Sequence, residues 1–423
     1  MMNLWDELIW RGSIAQTTDE AALREELNRG GLSFYVGFDP TAPSLHIGNL
    51  AIMVVMRRLQ LAGHRPIPLV GGATGLVGDP SGRNSERTLN EEAVVATWVE
   101  RIRVQLSGFL DFENGTNKAV LANNLDWTAP LSALNFLRDI GKHFSVNQML
   151  SKDSVSSRLE SGGISYTEFS YQVLQAFDFL ELFRREGCLL QMGGSDQWGN
   201  IVAGVDLIRR VEGQSAHALT IPLLVKADGT KFGKTASGSI WLDPSMTSPY
   251  AFFQFFLNTD DRDLIALLKS YSFKSPQELE ELFKEHEANP GARKAHRALA
   301  HEVTSYIHGE EVAGRVEQAA RALFGQAELQ GLDEETLASA INELPCVEVT
   351  DSDSHLWVDL IAGSGVVDSK SAARRIIKEG GAYINNVKIS DENATLNDSD
   401  FLFGRIALLR KGKRDLAAVL RKG

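Results

Sequence analysis

Phe34-Tyr35-Val36-Gly37-Phe38 reads as a short buried strand and Ile67-Pro68-Leu69-Val70 as a second, with apolar residues at helical spacing from about Leu45 to Ala62 between them. Strand, helix, strand in that order predicts a parallel pair, because a helical crossover returns the chain to start the next strand in the same direction. A Gly-rich turn follows Val70. Further strands at Ala119-Val120-Leu121 and Leu189-Leu190-Gln191-Met192 then alternate with long helical patterns up to about Val211. The fold class is therefore α/β, an open parallel sheet whose ligands lie at the carboxyl ends of the strands. Ser248 to about Leu323 reads as all-helical. The last segment pairs a helix, Ser369 to Glu379, with a Gly380-Gly381 stop and a strand at Ala382-Tyr383-Ile384.

At 423 residues the chain is long enough for two or three domains with cores of their own. Its 43% hydrophobic and 23% charged content is that of an ordinary globular protein. No apolar run approaches the roughly 18 residues of a membrane span, and the amphipathic start, with Asp6 and Glu7, is unlike a secretory signal, so a cytoplasmic protein is expected. Cys188 and Cys346 are too few for a disulfide framework or a cysteine zinc site, and both are expected reduced and structural. The net charge of −12 argues against a protein that coats nucleic acid. It is unevenly spread: from His355 to the end twelve Lys and Arg face eight Asp and Glu, and 326–354 holds eight acidic residues and no basic one. A domain boundary is expected near His355.

Two short patterns bear on chemistry. In Asp39-Pro40-Thr41-Ala42-Pro43-Ser44-Leu45-His46-Ile47-Gly48-Asn49 a strand turns into a helix whose first turn holds His46 and Asn49, three apart and on one face. Beside the free N–H groups of a helix start, an imidazole and a carboxamide can contact phosphate oxygens, and Gly48 lets a flat base approach. The same pattern also describes a plain helix cap with a partly buried histidine. In Lys231-Phe232-Gly233-Lys234-Thr235 two lysines three apart in a Gly-containing loop form a cationic arm that can close on a polyphosphate, or simply a solvated turn. A third feature is the polar stripe Tyr171, Gln175 and Asp178 on an otherwise apolar helix, at i, i+4 and i+7. It fits either a small polar ligand or an exposed face.

Together the first two patterns resemble the paired HIGH and KMSKS signatures of class I aminoacyl-tRNA synthetases. The runs Tyr35 to Thr41, Gly71 to Gly82, Gly193-Gly194-Ser195-Asp196-Gln197-Trp198-Gly199-Asn200 and the Lys231 loop are similar to the tyrosyl-tRNA synthetase family, and the resemblance runs from about Leu4 to Gly423. It implies a Rossmann-like catalytic domain over 1–225, with a dimer-forming insertion at about 123–186, and a catalytic lysine loop and linker at 226–247. It implies further a helical anticodon-recognition domain at 248–325, an acidic linker at 326–354, and an α+β RNA-binding module at 355–423. The implied substrates are tyrosine, ATP with Mg²⁺ and tRNA(Tyr), and the implied assembly is a homodimer with no membrane and no structural metal.

By the same resemblance the substrate phenol lies between Tyr35 and Asp178, its ammonium on Asp79, Tyr171 and Gln175, and its carboxylate near Gln197. ATP then meets Asp39, Thr41, His46, Gly48, Asn49, Gly194, Asp196, Lys231 and Lys234. His46, Asn49, Lys231, Lys234 and Thr235 stabilise the departing pyrophosphate. A carboxylate that accepts the phenol proton rejects phenylalanine, which would leave it desolvated and unpaired. Asn49 departs from the family's usual second histidine but keeps an amide donor. Lys370, Arg374, Arg375 and Lys378 on one helix, with Arg405, Arg410, Lys411, Lys413 and Arg414 near the end, form the expected RNA face. Three rival readings make different demands. Another nucleotidyl transferase of this fold needs no basic module, a synthetase-derived RNA-binding factor would have lost a signature, and a tryptophan-specific enzyme needs no carboxylate at Asp178.

Overall fold

The structure, a computed structural model, describes residues 2–422 except 82–89, 153–154, 157, 160–162, 236–237, 326, 351–354 and 413–414; at 234, 235 and 330 it describes the backbone only. Gly82, Lys413 and Arg414 thus lie outside the described residues. The chain divides into two compact units, one of Met1–Asp243 with Asp260–Ala295 and one of Pro244–Thr259 with His296–Gly423.

The first unit is built on a six-stranded sheet of β1 (Gln16–Thr17), β2 (Ser33–Phe38), β3 (Arg65–Val70), β4 (Ala122–Asn123), β5 (Leu190–Gly194) and β6 (His217–Ile221). Its order is β1-β6-β5-β2-β3-β4, parallel except for β1 against β6. From β2 the chain adds β3 and β4 on one side and later β5 and β6 on the other. The ends of β2 and β5 therefore diverge, which opens a crevice there. Helix α1 (Leu4–Trp10) precedes the sheet, and α2 (Ile47–Leu61) crosses from β2 to β3 with apolar residues buried on nearly every side. Helix α3 (Tyr166–Glu186) starts at a Ser165 cap and stops at Gly187 in the left-handed conformation. It buries Val173, Phe177, Phe179 and Leu180 in a cluster with Tyr35, Trp127 and Cys188.

The fourth strand corrects the expectation at Ala119-Val120-Leu121. Only Ala122 and Asn123 join the ladder, opposite Leu69 and Val70, while the Ala119 N–H turns back to the Asp111 carbonyl. The cause lies in β3. The Pro66 carbonyl accepts from Val120 on that edge, so Pro66 and Pro68 both present to it backbone nitrogens that cannot donate.

The helical stretch 248–325 is divided between the units. Helix α4 (Asp261–Tyr271) and the helix Pro276–Ala288 belong to the first; Pro249–Leu257, Lys294–His308 and Glu310–Leu323 fall essentially in the second. The acidic stretch 326–354 is more than a tether. It contains the helix Glu334–Ile341 and β9 (Cys346–Val349), which pairs in parallel with the last strand of the chain. The second unit's sheet runs β11-β10-β12-β13-β9, with β10 (Ala382–Ile384), β11 (Val387–Lys388), β12 (Ile406–Lys411) and β13 (Asp415–Arg421). Helix α5 (Lys370–Lys378) packs Ala373 and Ile377 into its core. Both cysteines are free, Cys188 buried and Cys346 exposed. Among the described residues no helix is long and apolar enough to cross a membrane.

Candidate active site

The diverging ends of β2 and β5 open into a cavity of about 670 Å³, lined by both sequence signatures and by the polar stripe of α3. On one wall His46 is the N-cap of α2 rather than part of its first turn. Its Nδ1 accepts from the Gly48 and Asn49 N–H groups at 3.0 and 3.3 Å, and Asn49 Oδ1 accepts in return from the His46 N–H at 3.1 Å. The expectation of two side chains projecting side by side is thus corrected to a reciprocal capping box. Acceptance at Nδ1 leaves the ring proton on Nε2, so His46 turns a donor outward. Asn49 spends its carbonyl on the cap, and its amide nitrogen makes no hydrogen bond among the described residues.

The lysine loop is fastened to this same turn. Ile47 N–H donates to the Ile240 carbonyl and Leu242 N–H to the Leu45 carbonyl, at 3.0 and 2.9 Å. Gly233, at φ +91°, lies so close that a Cβ there would sit 2.7 Å from Ile47 Cγ1. Only glycine meets both conditions. Lys231 is exposed beside the cavity; for Lys234 and Thr235 the structure describes only the backbone, which forms β7 (Lys234–Thr235) paired with β8 (Gly238–Ser239).

The opposite wall is a hydrogen-bonded network. Asp178, buried, accepts from Asn124 Nδ2 at 3.0 Å and from Trp127 Nε1 at 2.8 Å. Asn124 also donates to Thr74 Oγ1, whose hydroxyl donates to Asp39 Oδ1 at 2.7 Å, and Tyr171 OH donates to Asp39 Oδ2 at 2.6 Å. Asp39, expected on ATP, therefore sits against Tyr171. Asp79 accepts from the Ser81 N–H and from Gln197 Nε2, at 2.9 and 2.6 Å, and Gln175 accepts from Asn200. Tyr35 is 1% exposed, and its hydroxyl has no partner among the described residues. Burial pushes Asp178 up to about 7, against the pull of its two donors. Burial likewise raises Tyr35 and Tyr171, Tyr35 further by the charge of Asp178 and Tyr171 by that of Asp39, so both keep their protons. Asp196 is raised by burial and by Asp79. Asn124 and Trp127 escape sequence reading, and Thr74, Ser81 and Asn200, though inside the glycine-rich runs that carry the family resemblance, were given no role there; only the fold brings them here.

Residues 27–325 match the family described as tRNA synthetases class I (W and Y), and residues 336–419 match the tyrosine–tRNA ligase SYY-like C-terminal domain. The tyrosine–tRNA ligase of Streptomyces avermitilis is 60% identical over 421 residues, covering 99% of each chain. That of Mycobacterium leprae is 53% identical over 423 residues, covering 99% of each. The chain belongs to the tyrosine–tRNA ligase family. Among solved structures, the C-terminally truncated mitochondrial tyrosyl-tRNA synthetase of Aspergillus nidulans is similar at 31% identity and a TM-score of 0.69, over 77% of this chain and 95% of that one. A tryptophan-bound tryptophanyl-tRNA synthetase from Encephalitozoon cuniculi, at 15% identity and TM-score 0.54 over 79% of this chain and 90% of its own, shares the fold alone.

The basic residues of this family member's C-terminal unit differ in how they are engaged. Lys370 pairs with Asp359, Lys378 with Glu392 and Lys411 with Asp415, at 2.9, 3.5 and 3.2 Å, and Arg405 pairs with Glu334. Arg410 stacks 4.1 Å from the centre of the Tyr383 ring. Arg374 and Arg375 are exposed and make no ion pair among the described residues.

The position of Asp178 sets a pH dependence. Because its folded pKa is raised, ionising it costs stability, and that cost grows as pH climbs from the ordinary carboxylate range through about 7. Trp127→Phe removes a charge-assisted hydrogen bond to the ionised form and a weaker one to the neutral form. Denaturant unfolding of the ligand-free protein should show the variant destabilised by about 1 kcal/mol more near pH 8 than near pH 5. A pH-independent difference would contradict the assignment.

Proposed function

We propose that this chain joins tyrosine to ATP, giving tyrosyl-adenylate and pyrophosphate, and then passes the tyrosyl group to the 3′-terminal ribose of tRNA(Tyr). The observation that carries this reading is the pairing, in one cavity, of the unpartnered Tyr35 hydroxyl with the buried carboxylate of Asp178. A phenol placed between them donates to Asp178, beside its two existing donors, and accepts from Tyr35, which gains its missing partner. Phenylalanine would leave the Tyr35 hydroxyl unpartnered and press an apolar ring edge against a buried carboxylate. Tyr171, Gln175 and Asp79 hold the ammonium, and Gln197 steers the carboxylate toward the α-phosphate.

The tyrosine carboxylate attacks the α-phosphate in line as the bond to pyrophosphate breaks. No group on the protein is alkylated or acylated, so the rate gain comes from placement and from charge stabilisation. His46 Nε2–H, the α2 N-terminus, Asn49 and Lys231 stabilise the departing oxygens, and Lys234 and Thr235 join them by the same sequence reading. Asp196 and Gly194 take the ribose, with Thr41 and Gly48 near the nucleotide. ATP enters as its Mg²⁺ complex, which spreads the pyrophosphate charge. A cytoplasmic setting goes with this reading. Amino-acid-dependent exchange of labelled pyrophosphate into ATP tests it. Tyrosine should support exchange, phenylalanine and tryptophan should not, and Lys234→Ala should slow single-turnover adenylate formation. Exchange with another amino acid, or with none, would sink the assignment.

The tRNA is held in part by α5. Arg374 and Arg375, exposed and without ion pairs, are the cations most ready to meet phosphate, whereas Lys370, Lys378 and Lys411 must first release a carboxylate. Lys413 belongs to the same reading by sequence. Arg374→Glu with Arg375→Glu should leave exchange intact, raise the KM for tRNA and flatten its salt dependence by about one logarithmic slope unit per lost contact. Unchanged tRNA charging across a salt series would remove these residues from the interface.

A second copy of the chain covers the insertion, which leaves large apolar side chains in water: Leu134 is 79% exposed, Leu137 53% and Val146 59%. Leu134→Glu should shift the sedimentation of the full chain toward a monomer. Wild-type protein that sediments as a monomer would disprove the dimer.

A further inference from the structure

Tyr271, the last residue of α4, takes no part in the roles assigned above, yet it is fully buried and lines the same cavity. Its hydroxyl donates to the Ile47 carbonyl at 2.9 Å, in the first turn of α2. Its ring lies 6.0 Å from that of Phe232, tilted by 39°. Phe232 is itself buried, its N–H bonded to the Leu224 carbonyl at 3.0 Å, and it stands between Lys231 and Lys234. Ile47 is thus gripped on three sides: N–H by Ile240, carbonyl by Tyr271, side chain under Gly233.

The far side of Tyr271 is equally restrained. Arg11, from just after α1, donates to the carbonyls of Lys269, Ser272 and Lys274 at 3.0, 3.1 and 2.6 Å. Arg58 of α2 donates to the Ser272 carbonyl at 2.9 Å, and Glu7 accepts from Arg11 at 2.7 Å. Two guanidinium groups on the carbonyl end of α4 satisfy its last acceptors and complement its dipole. Because Arg58 and Ile47 belong to one helix, α4 is braced against α2 at both points.

We infer that Tyr271 is a positioning residue for tyrosine activation, holding the Phe232–Gly233 anchor of the lysine loop and the His46 turn in one frame so that their donors converge on the same phosphate oxygens. This rests on the function proposed above. Misplacement of donors by a fraction of an ångström weakens transition-state stabilisation without touching the tyrosine pocket on the opposite wall.

The test is single-turnover adenylate formation by the full chain carrying Tyr271→Phe, which keeps the ring and removes the hydroxyl. The rate should fall about five- to tenfold, because donors held out of register stabilise the transition state less, with the tyrosine dissociation constant unchanged and Tm lowered by no more than the loss of one buried hydrogen bond accounts for. In a Phe232→Leu background the same substitution should cost less, because both changes break one frame. A rate within about twofold of wild type, an equal loss of tyrosine affinity, or fully multiplicative losses would each overturn the inference. Wild-type enzyme that fails to activate tyrosine would instead overturn the proposed function, so the two failures are distinguishable.

Discussion

The buried carboxylate of Asp178 is the constraint around which the pocket is organised. An ion in that position survives only with donors around it, and Asn124 and Trp127 supply them from the segment that follows β4. Asn124 cannot serve Asp178 alone. Its second amide hydrogen goes to Thr74, its carbonyl takes the Ala73 N–H, and Thr74 in turn holds Asp39 against Tyr171. One chain of hydrogen bonds thus ties the ends of β2, β3 and β4 to α3. Gly71 is part of the same constraint, since a Cβ there would lie 2.1 Å from Asp39 Oδ1 and 2.4 Å from Thr74 Oγ1.

Much of the frame was legible because it obeys simple periods. The apolar runs of β2 and β3 and the largely apolar α2 announce a buried parallel pair, and the stripe of Tyr171, Gln175 and Asp178 stands out because the stretch around it, Phe169 to Leu182, is mostly apolar. What remained hidden is of another kind. Asn124 and Trp127 stand three apart on the short turn after β4 and Thr74 on the turn after β3, and nothing in those stretches says that they converge around a carboxylate on α3 more than fifty residues further along. Residues 119–121 are apolar enough for a strand, but pairing is decided by the proline-lined edge of the neighbour. His46 and Asn49 were legible both as a phosphate-facing pair and as a plain helix cap, and the bare pattern could not choose, because two backbone N–H groups and a carboxamide compete for the side chains that a ligand would use. Nor does sequence separate α4 from the helices around it. Its place in the first unit depends on Arg11, Arg58 and Tyr271, which reach it from or toward residues more than two hundred positions away.

The cavity also has to reconcile opposite charges. Asp39, Asp79, Asp178 and Asp196 all line it, so its polar wall attracts an ammonium and repels a polyphosphate. The raised pKa values of Asp178 and Asp196 express that crowding together with burial. On the proposed reading the triphosphate meets the other wall, which has the reverse character: the positive end of α2, a ring N–H from His46, and Lys231 at the rim. Separating the two signs across one crevice would let a carboxylate nucleophile and a phosphate electrophile, both anionic, approach within bonding distance.

The two walls differ in how settled they are. On the tyrosine side most polar atoms already have partners; among the described residues the buried Tyr35 hydroxyl and Gln191 Oε1 do not, and on the proposed reading the first takes a phenol. Binding there asks for little rearrangement, so affinity is spent on selection rather than on ordering. On the phosphate side Lys231 is exposed, while the loop is held at Ala227, whose N–H donates to Asp263, at Phe232 and Gly233, and along the 240–242 segment. On the proposed reading that arrangement puts an exposed cation beside a fixed anchor where charge develops during the reaction, and the hydrogen-bonded network where one amino acid must be told from another by a single hydroxyl.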